Sequence, residues 1–410
     1  MAKVDLSRHN SFCNFILGGI LMPKSTFVNS DLLSDQSTLD YIISVLILHF
    51  DLFASGYLCQ TSDLWRILLT AAARASYIES ACLDLEDAPS SNTIRGYLNS
   101  QLSSDQIRSL QRQCNRALAS QLPYWLRLQP QQVAIDLHDE PYYGKDGDWV
   151  CRGEARAGTT YFYRCATAYI MRKGVRMTLA VEFVHPDSSL EQILRRLLRP
   201  IKALKIRIHQ LYLDKGFASI AIMSYLQETG TRAIIAVPIR GKTAGTRALC
   251  KGRASYSTRH RFRSSDQGEL EVRVCVVRTI AKRRDGERKA QWLVYALINL
   301  DEMKPQRVRK AYRRRFGIES SYRMMEQVRA RTTSKNAALR FLLMGIALVI
   351  INVWIGLQWR YLRVKARGAR RVASKEFRLE RMRRFIIRAV EAIYGVVWVV
   401  RPPNLKSVIY

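Results

Sequence analysis

Hydrophobic and polar positions follow two rhythms along this chain. Up to about residue 125, apolar residues recur at three- and four-residue spacing, as in LDYIISVLILHF (39–50) and LWRILLTAAARASYI (64–78). That spacing predicts amphipathic helices. After Pro89, the residues Ser90, Ser91 and Asn92 suit a helix N-cap, and Ile94, Tyr97 and Leu98 then share one face. This helix carries Arg95 and follows two earlier helices. It is a candidate recognition helix of helix-turn-helix type, with an ordinary bundle helix as the favoured reading.

Near Pro130 the period changes to two. In QQVAIDLHDEPYYG (131–144), Val133, Ile135 and Leu137 alternate with Ala134, Asp136 and His138. Two further strands are expected in TYFYRCATAYI (160–170) and RMTLAVEFV (176–184). Then come a helix in SLEQILRRLLRPIKAL (189–204), a strand in HQLYLDKGF (209–217), a helix in SIAIMSYLQETG (219–230) and a strand in RAIIAVPI (232–239). Three strands followed by alternating helix and strand predict an α/β fold, a mixed sheet with helices on its faces.

Residues 240–300 interrupt this order. GKTAGTRALCKGRASYSTRHRFRSS (241–265) reads as a Gly- and Arg-rich loop. ELEVRVCVVRTIA (269–281) and AQWLVYALINL (290–300) read as two strands joined through an Asp285-Gly286 turn, a β-rich insertion. From Pro305 the chain returns to helical spacing, and the basic tail from Leu362 to Arg388 is expected to be helical too. The expected organisation is a helical domain over 1–125, an α/β domain over 130–355 with the insertion at about 240–300, and a basic helical region over 356–410.

Composition sharpens the picture. Hydrophobic residues make up 48% of the chain, enough for a sizeable core, which excludes global disorder. Lys and Arg number 66 against 34 Asp and Glu, a net charge of +32 spread along the whole length. Such a distributed excess suits a long duplex DNA track better than a single lipid-binding patch. None of the eight cysteines forms a C-x-x-C pair, so no zinc site is expected, and scattered thiols fit a reducing cytoplasm. The first 25 residues contain a short apolar run but no small-residue cleavage site, so a secretory leader is not expected. Phe341 to Leu357 is long and apolar enough to suggest a membrane span, but Arg340 and Arg360 flank it without asymmetry. It is expected instead to be a helix buried behind the sheet, with no stable membrane association.

Cutting a phosphodiester needs an activated water and relief of charge on the leaving oxygen, which two divalent metals about 4 Å apart supply. Magnesium takes hard oxygen ligands, so isolated carboxylates matter. Asp136 interrupts an otherwise apolar strand, which fits a cleft; the plainer alternative is a solvated second face. Asp214 ends the strand LYLD ahead of Lys215-Gly216, where α/β folds bind ligands, although strand–Asp–Gly turns are also common. Glu319 lies in YRRRFGIESSYRMMEQV, where continuous helical spacing aligns Tyr312, Arg315, Glu319 and Arg323 in one stripe. A lone carboxylate among cations fits a metal ligand beside a DNA backbone; a salt-bridged surface helix has the same pattern.

Together these features resemble the RNase H-like DDE transposases of prokaryotic insertion sequences. The first Asp lies on the first strand, the second after the fourth, and a β insertion precedes the Glu helix. Tyr312-x2-Arg315-x3-Glu319 resembles the tyrosine–arginine–glutamate signature of the branch with a β-insertion, in its archaeal and cyanobacterial members, and AIDLHDEPYYG resembles their first motif. The resemblance implies an RNase H-like mixed sheet, and Asp136, Asp214 and Glu319 as catalytic residues holding two Mg²⁺ ions, for which Mn²⁺ can substitute. Tyr312 and Arg315 would grip phosphates near the cut. Trp292, in the insertion, is a candidate to stack on a flipped base, against the alternative of a core residue. The signature's Lys, seven residues after its Glu, is here Glu326. Lys335 or Arg323 could supply that phosphate contact, and Glu326 is the rival for the third carboxylate. The implied partners are double-stranded DNA, as transposon ends and target, and a second copy of the chain. The competing readings are a nuclease of the same fold without strand transfer, and a DNA-binding relative without catalysis.

Overall fold

The computed structural model describes residues 32–172, 174–241, 245–282, 288–300, 303–364 and 371–399. The N-terminal apolar run and the Asp285-Gly286 turn lie outside the described residues. Five helices open the described chain: α1 (Asp35–His49), α2 (Thr61–Arg74), α3 (Ile78–Leu83), α4 (Ser91–Gln101) and α5 (Ile107–Ser120). The cap expected for α4 is present, with the Ser90 hydroxyl accepting from the Thr93 amide. A one-turn helix, α6 (Trp125–Leu128), leads into the sheet.

The sheet contains β1 (Gln131–Tyr142), β2 (Val150–Arg156), β3 (Thr159–Ile170), β4 (Thr178–Phe183), β5 (Ile208–Leu213), β6 (Ala233–Val237), β7 (Tyr256–Ser264), β8 (Gly268–Lys282) and β9 (Arg288–Ile298). Helices α7 (Leu190–Ala203) and α8 (Ile220–Glu228) make the crossovers around β5. The strand order is β2-β3-β1-β5-β6-β9-β8-β7, with β4 also pairing to β3. β1, β5 and β6 are parallel; the other pairings are antiparallel. The mixed α/β architecture after a mostly helical N-terminal region is thus as expected.

Three local expectations are corrected. β2 was not anticipated. It pairs with only the first part of β3, while β4 takes the remainder of the same edge. β7 occupies part of the expected 241–265 loop. Its Arg259, Arg261 and Arg263 are exposed while His260, Phe262 and Ser264 are half-buried, a period of two that the loop-like composition hides. The insertion also continues the main sheet, because β9 pairs with β6. In the tail, Arg363–Val364 pairs with Arg371–Val372, and helix α12 (Leu379–Tyr394) starts only afterwards. The Phe377 carbonyl accepts from Trp354 Nε1 at 2.8 Å and Gln358 Nε2 at 2.7 Å, which lays the preceding backbone along another helix instead of into its own.

That other helix is α11 (Ala337–Tyr361). Within the described residues it alone is long and apolar enough to cross a membrane, and 94% of its apolar stretch is buried inside the protein. Phe341 stacks on Phe183 with ring centres 4.5 Å apart. Gly345 allows close approach to α5: a Cβ there would come within 3.0 Å of Cys114 Sγ. Asn352 is completely buried and fully used, accepting from the Thr178 amide at 2.9 Å and donating to the Thr178 and Leu118 carbonyls. This polar clamp fixes α11 between β4 and α5. α12 packs on α1 and α2, so the last described helix closes on the first two.

The sheet has two dissimilar faces. Val133, Ile135 and Leu211 point into the large core shared with α5, α7, α8 and α11. Ala134, Tyr169, Tyr212 and Ile234 point into a smaller cluster closed by Val308, Tyr312 and Ile318. Those last three residues belong to α9 (Pro305–Arg313) and α10 (Gly317–Gln327).

Candidate active site

Strand parity and register place the two aspartates together. Asp136 has the parity of Ala134, and Asp214 that of Tyr212, so both lie on the smaller-cluster face. Ile135 is registered with Leu213 across the parallel β1–β5 pair, which sets the next residues, Asp136 and Asp214, side by side. Asp136 Oδ1 accepts from the Leu137 amide at 3.0 Å. Asp214 caps the short 3₁₀ turn Lys215–Phe217, its carboxylate accepting from the Lys215 amide at 2.5 Å. The Gly turn behind the strand is therefore real, and it keeps Asp214 partly open to solvent.

Arg315 joins the pair. Its Nη1 donates to Asp136 Oδ2 at 2.9 Å, and its Nη2 lies 3.7 Å from Asp214 Oδ1. The Arg315 side chain is 7% exposed, against 16% for Asp136 and 36% for Asp214. Burial pushes the Asp136 pKa up; Arg315 opposes this and the neighbouring Asp214 charge adds to it. Two repelling carboxylates with hard oxygen donors, one held within a strand and one just past a strand end, are a set that fits a divalent cation.

The helix that carries Arg315 is not continuous. α9 stops at Arg313, Arg314–Phe316 forms a 3₁₀ turn, and α10 begins at Gly317. The expected single stripe is therefore corrected, because a 3₁₀ turn winds faster than the α-helical spacing assumed for it. Tyr312 and Arg315 face the sheet and are buried, whereas Glu319 and Arg323 are exposed. The Tyr312 hydroxyl donates to the Leu213 carbonyl at 3.1 Å, anchoring α9 beside Asp214. The Tyr169 hydroxyl donates to the Arg315 carbonyl at 3.1 Å, and Gly317 leaves room for it, since a Cβ there would stand 3.1 Å from that oxygen.

Glu319 sits in the first turn of α10, one helical turn from Arg315, and makes no hydrogen bond or ion pair with another described residue. Among the described residues no group of three or more His, Cys, Asp and Glu comes close enough together to hold a metal ion. The structure thus brings Asp136, Asp214 and Arg315 together and leaves Glu319 outside their group. Glu326 has other partners: it lies 3.1 Å from His138 Nε2 and 2.8 Å from Arg329. Burial works against its charge, but His138 and Arg329 outweigh it and bring its pKa down to about 2. Arg329 and Arg340 also hold Glu140, tying β1 to the segment after α10 and to α11.

The sequence reading missed Tyr322. Its hydroxyl donates to the Asp136 carbonyl at 3.0 Å and lies 2.8 Å from Thr167 Oγ1, and its ring stacks on His138 at 4.6 Å. The available signal was its place one helical turn after Glu319 on a helix bound to cross the Asp136 strand. The other predicted residues are dispersed. Arg95 is exposed on α4, bonded to Asn92 and 3.7 Å from Glu79. Lys335 is exposed, and its carbonyl accepts from Tyr163. Trp292 is half-buried on β9 and packs against the large core.

A family model for the transposase DDE domain matches residues 129–352. That span exceeds half of the chain, and the chain belongs to this family of DDE transposases. No curated protein matches it in sequence. Among solved structures, it is similar to the piggyBac transposase in a cryo-EM synaptic complex with hairpin DNA, with a TM-score of 0.51 and 13% identity, over 88% of this chain and 77% of that one. At that identity the likeness is one of fold.

Proposed function

We propose that this transposase cuts double-stranded DNA at transposon ends and joins the freed 3′-hydroxyl to target DNA by in-line displacement at phosphorus. The observation that supports this most is the pair Asp136 and Asp214, side by side on one sheet face and joined by the buried Arg315. Asp136 and Asp214 would hold Mg²⁺, or Mn²⁺ in its place, and Glu319, which stands outside their group here, would join them as the third carboxylate once metal and DNA are bound. When bound, the ions supply an activated nucleophile and neutralise charge on the leaving oxygen.

The chain's own residues do the positioning. Tyr322 and the Leu137 amide fix Asp136 through its carbonyl and carboxylate. Tyr312 fixes the end of β5 through the Leu213 carbonyl. Arg315 answers the charge of the aspartate pair, and its five donors in a planar fork suit a phosphate equally well. We assign it to exchange between these partners as DNA enters. Arg323, exposed one turn beyond Glu319, would meet backbone phosphates, with Lys335, Arg95 and Trp292 as more distant contacts. The enzyme would act in the cytoplasm as a homodimer on DNA.

The test is to incubate the full chain with Mg²⁺ or Mn²⁺ and duplex DNA carrying the flanks of its own gene. The expected products are 3′-hydroxyl ends at fixed positions and DNA joined to a second duplex. Fixed nicks without joined product would instead support the nuclease.

A further inference from the structure

A broad concave surface lies away from the aspartates. It is a groove of about 1310 Å³ between α7, the start of β5 and the turn that leads into β6. Its lining includes Arg195, Arg199, Lys202, Lys205, Arg207 and Arg232, all exposed, and no carboxylate. Ile208 lines it at the first residue of β5, while Asp214 follows the last. At the rise of an extended strand these points are about 20 Å apart. DNA lying in this groove would therefore be a different stretch from the one being cut.

Arg195, Arg199 and Lys202 recur at intervals of four and three residues, so they share one face of α7. Like charges at that spacing repel and destabilise a helix. Arg195 is answered by Glu191 at 2.7 Å and lies 4.0 Å from the centre of the Tyr225 ring. Arg199, Lys202 and Lys205 have no ion pair with any described residue. A row of unanswered cations in an open groove is a site for an extended polyanion. The 14-residue helix is about 21 Å long, and duplex DNA carries roughly a dozen phosphates over that length. The one aromatic ring in the lining is already covered by Arg195, which removes a stacking platform for single-stranded bases.

We infer that this groove is a second DNA-binding surface, one that grips the backbone of a duplex without reading its sequence while another stretch occupies the aspartate site. It rests on the transposase reading for the identity of the polyanion.

The experiment measures binding of a 40-base-pair duplex of arbitrary sequence to the full chain across a range of salt. The protein is unmodified, or carries Arg199→Gln, Lys202→Gln and Lys205→Gln together. A control carries Arg381→Gln, Arg384→Gln and Arg388→Gln on α12, which removes the same charge elsewhere. The groove variant is expected to bind at least about tenfold more weakly, with the log–log salt slope reduced by up to about 2.7, since each phosphate contact contributes about 0.9. Unchanged affinity and slope in a groove variant with an unaltered melting midpoint would overturn the inference. So would an equal loss in the α12 control, or a loss seen only with single-stranded DNA or RNA. Metal-dependent cleavage is assayed in parallel. Absent cleavage with a groove-specific loss of binding would sink the transposase chemistry and leave the groove standing. Intact cleavage with unchanged binding would do the reverse.

Discussion

Nη1 of Arg315 lies 2.9 Å from Oδ2 of Asp136, in an ion pair largely withdrawn from water. Arg315 reaches that position because a 3₁₀ turn separates α9 from α10 and swings its side chain toward the sheet. Removing one partner of a buried pair usually costs about 3–5 kcal/mol, because the other is left without its counter-charge. Protonation of Asp136, whose pKa burial already raises, softens this.

Arg315→Gln is therefore expected to lower the melting midpoint, and Mg²⁺ or Mn²⁺ to restore more of it in the variant than in the unmodified protein. A ligand stabilises in proportion to its preference for the folded state, and an uncompensated pair of aspartates binds a cation more strongly. Thermal unfolding with and without metal measures this. Equal metal shifts in both proteins would mean that Arg315 and the cation do not share the aspartates.

Glu326 makes a prediction in pH. Its folded pKa of about 2 lies below the unfolded value of about 4.3. Its contribution is thus fully present above pH ~4.3 and is lost as pH falls toward 2. Glu326→Gln should destabilise at pH 7, on the order of 1 kcal/mol once screening of this partly exposed side chain is allowed for. Urea unfolding from pH 7 to pH 3 should show the gap narrowing. A gap constant with pH would detach Glu326 from the His138 and Arg329 contacts.

Asn352 tests the placement of α11. Asn352→Ala leaves the buried Thr178 amide without its acceptor and takes a donor from the Thr178 carbonyl and from the Leu118 carbonyl, which keeps only the Gln121 amide. Buried groups left unmatched cost about 1–3 kcal/mol each, so a loss of at least about 2 kcal/mol is expected in denaturant titration. A neutral substitution would contradict the clamp between α11, β4 and α5.

Much of this arrangement was legible in the sequence. Asp136 broke the apolar rhythm of its strand and Asp214 ended one, but the parallel register that joins them was hidden, because β5 inserts beside β1 after three intervening strands and a helix. Burial of Phe341 to Leu357 was also legible, since the short polar link from Glu319 keeps α11 near the sheet. Other features were hidden for physical reasons. The 3₁₀ turn at Arg314–Phe316 leaves no mark in residue spacing, so Tyr312 and Arg315 were placed on the same face as Glu319. Arginine at every second position made β7 look like loop, although β8 supplies carboxylate partners across the pair, as between Arg259 and Glu271 at 3.1 Å. The place of Tyr322 over Asp136 depends on how α10 crosses β1, which no local pattern encodes.

The central claim is that Asp136 and Asp214 form the cutting centre. The most direct measurement is metal-dependent cleavage of end-labelled duplex carrying the gene's flanks, comparing the unmodified protein with Asp136→Asn, Asp214→Asn and Glu319→Gln. Binding to the same DNA is recorded alongside. Each substitution is expected to reduce cleavage by at least about a thousandfold, roughly 4 kcal/mol of transition-state stabilisation, while DNA affinity changes little, because affinity follows the spread of positive charge and cleavage follows the carboxylates. Substantial cleavage by Asp136→Asn or Asp214→Asn, with DNA binding intact, would contradict the account.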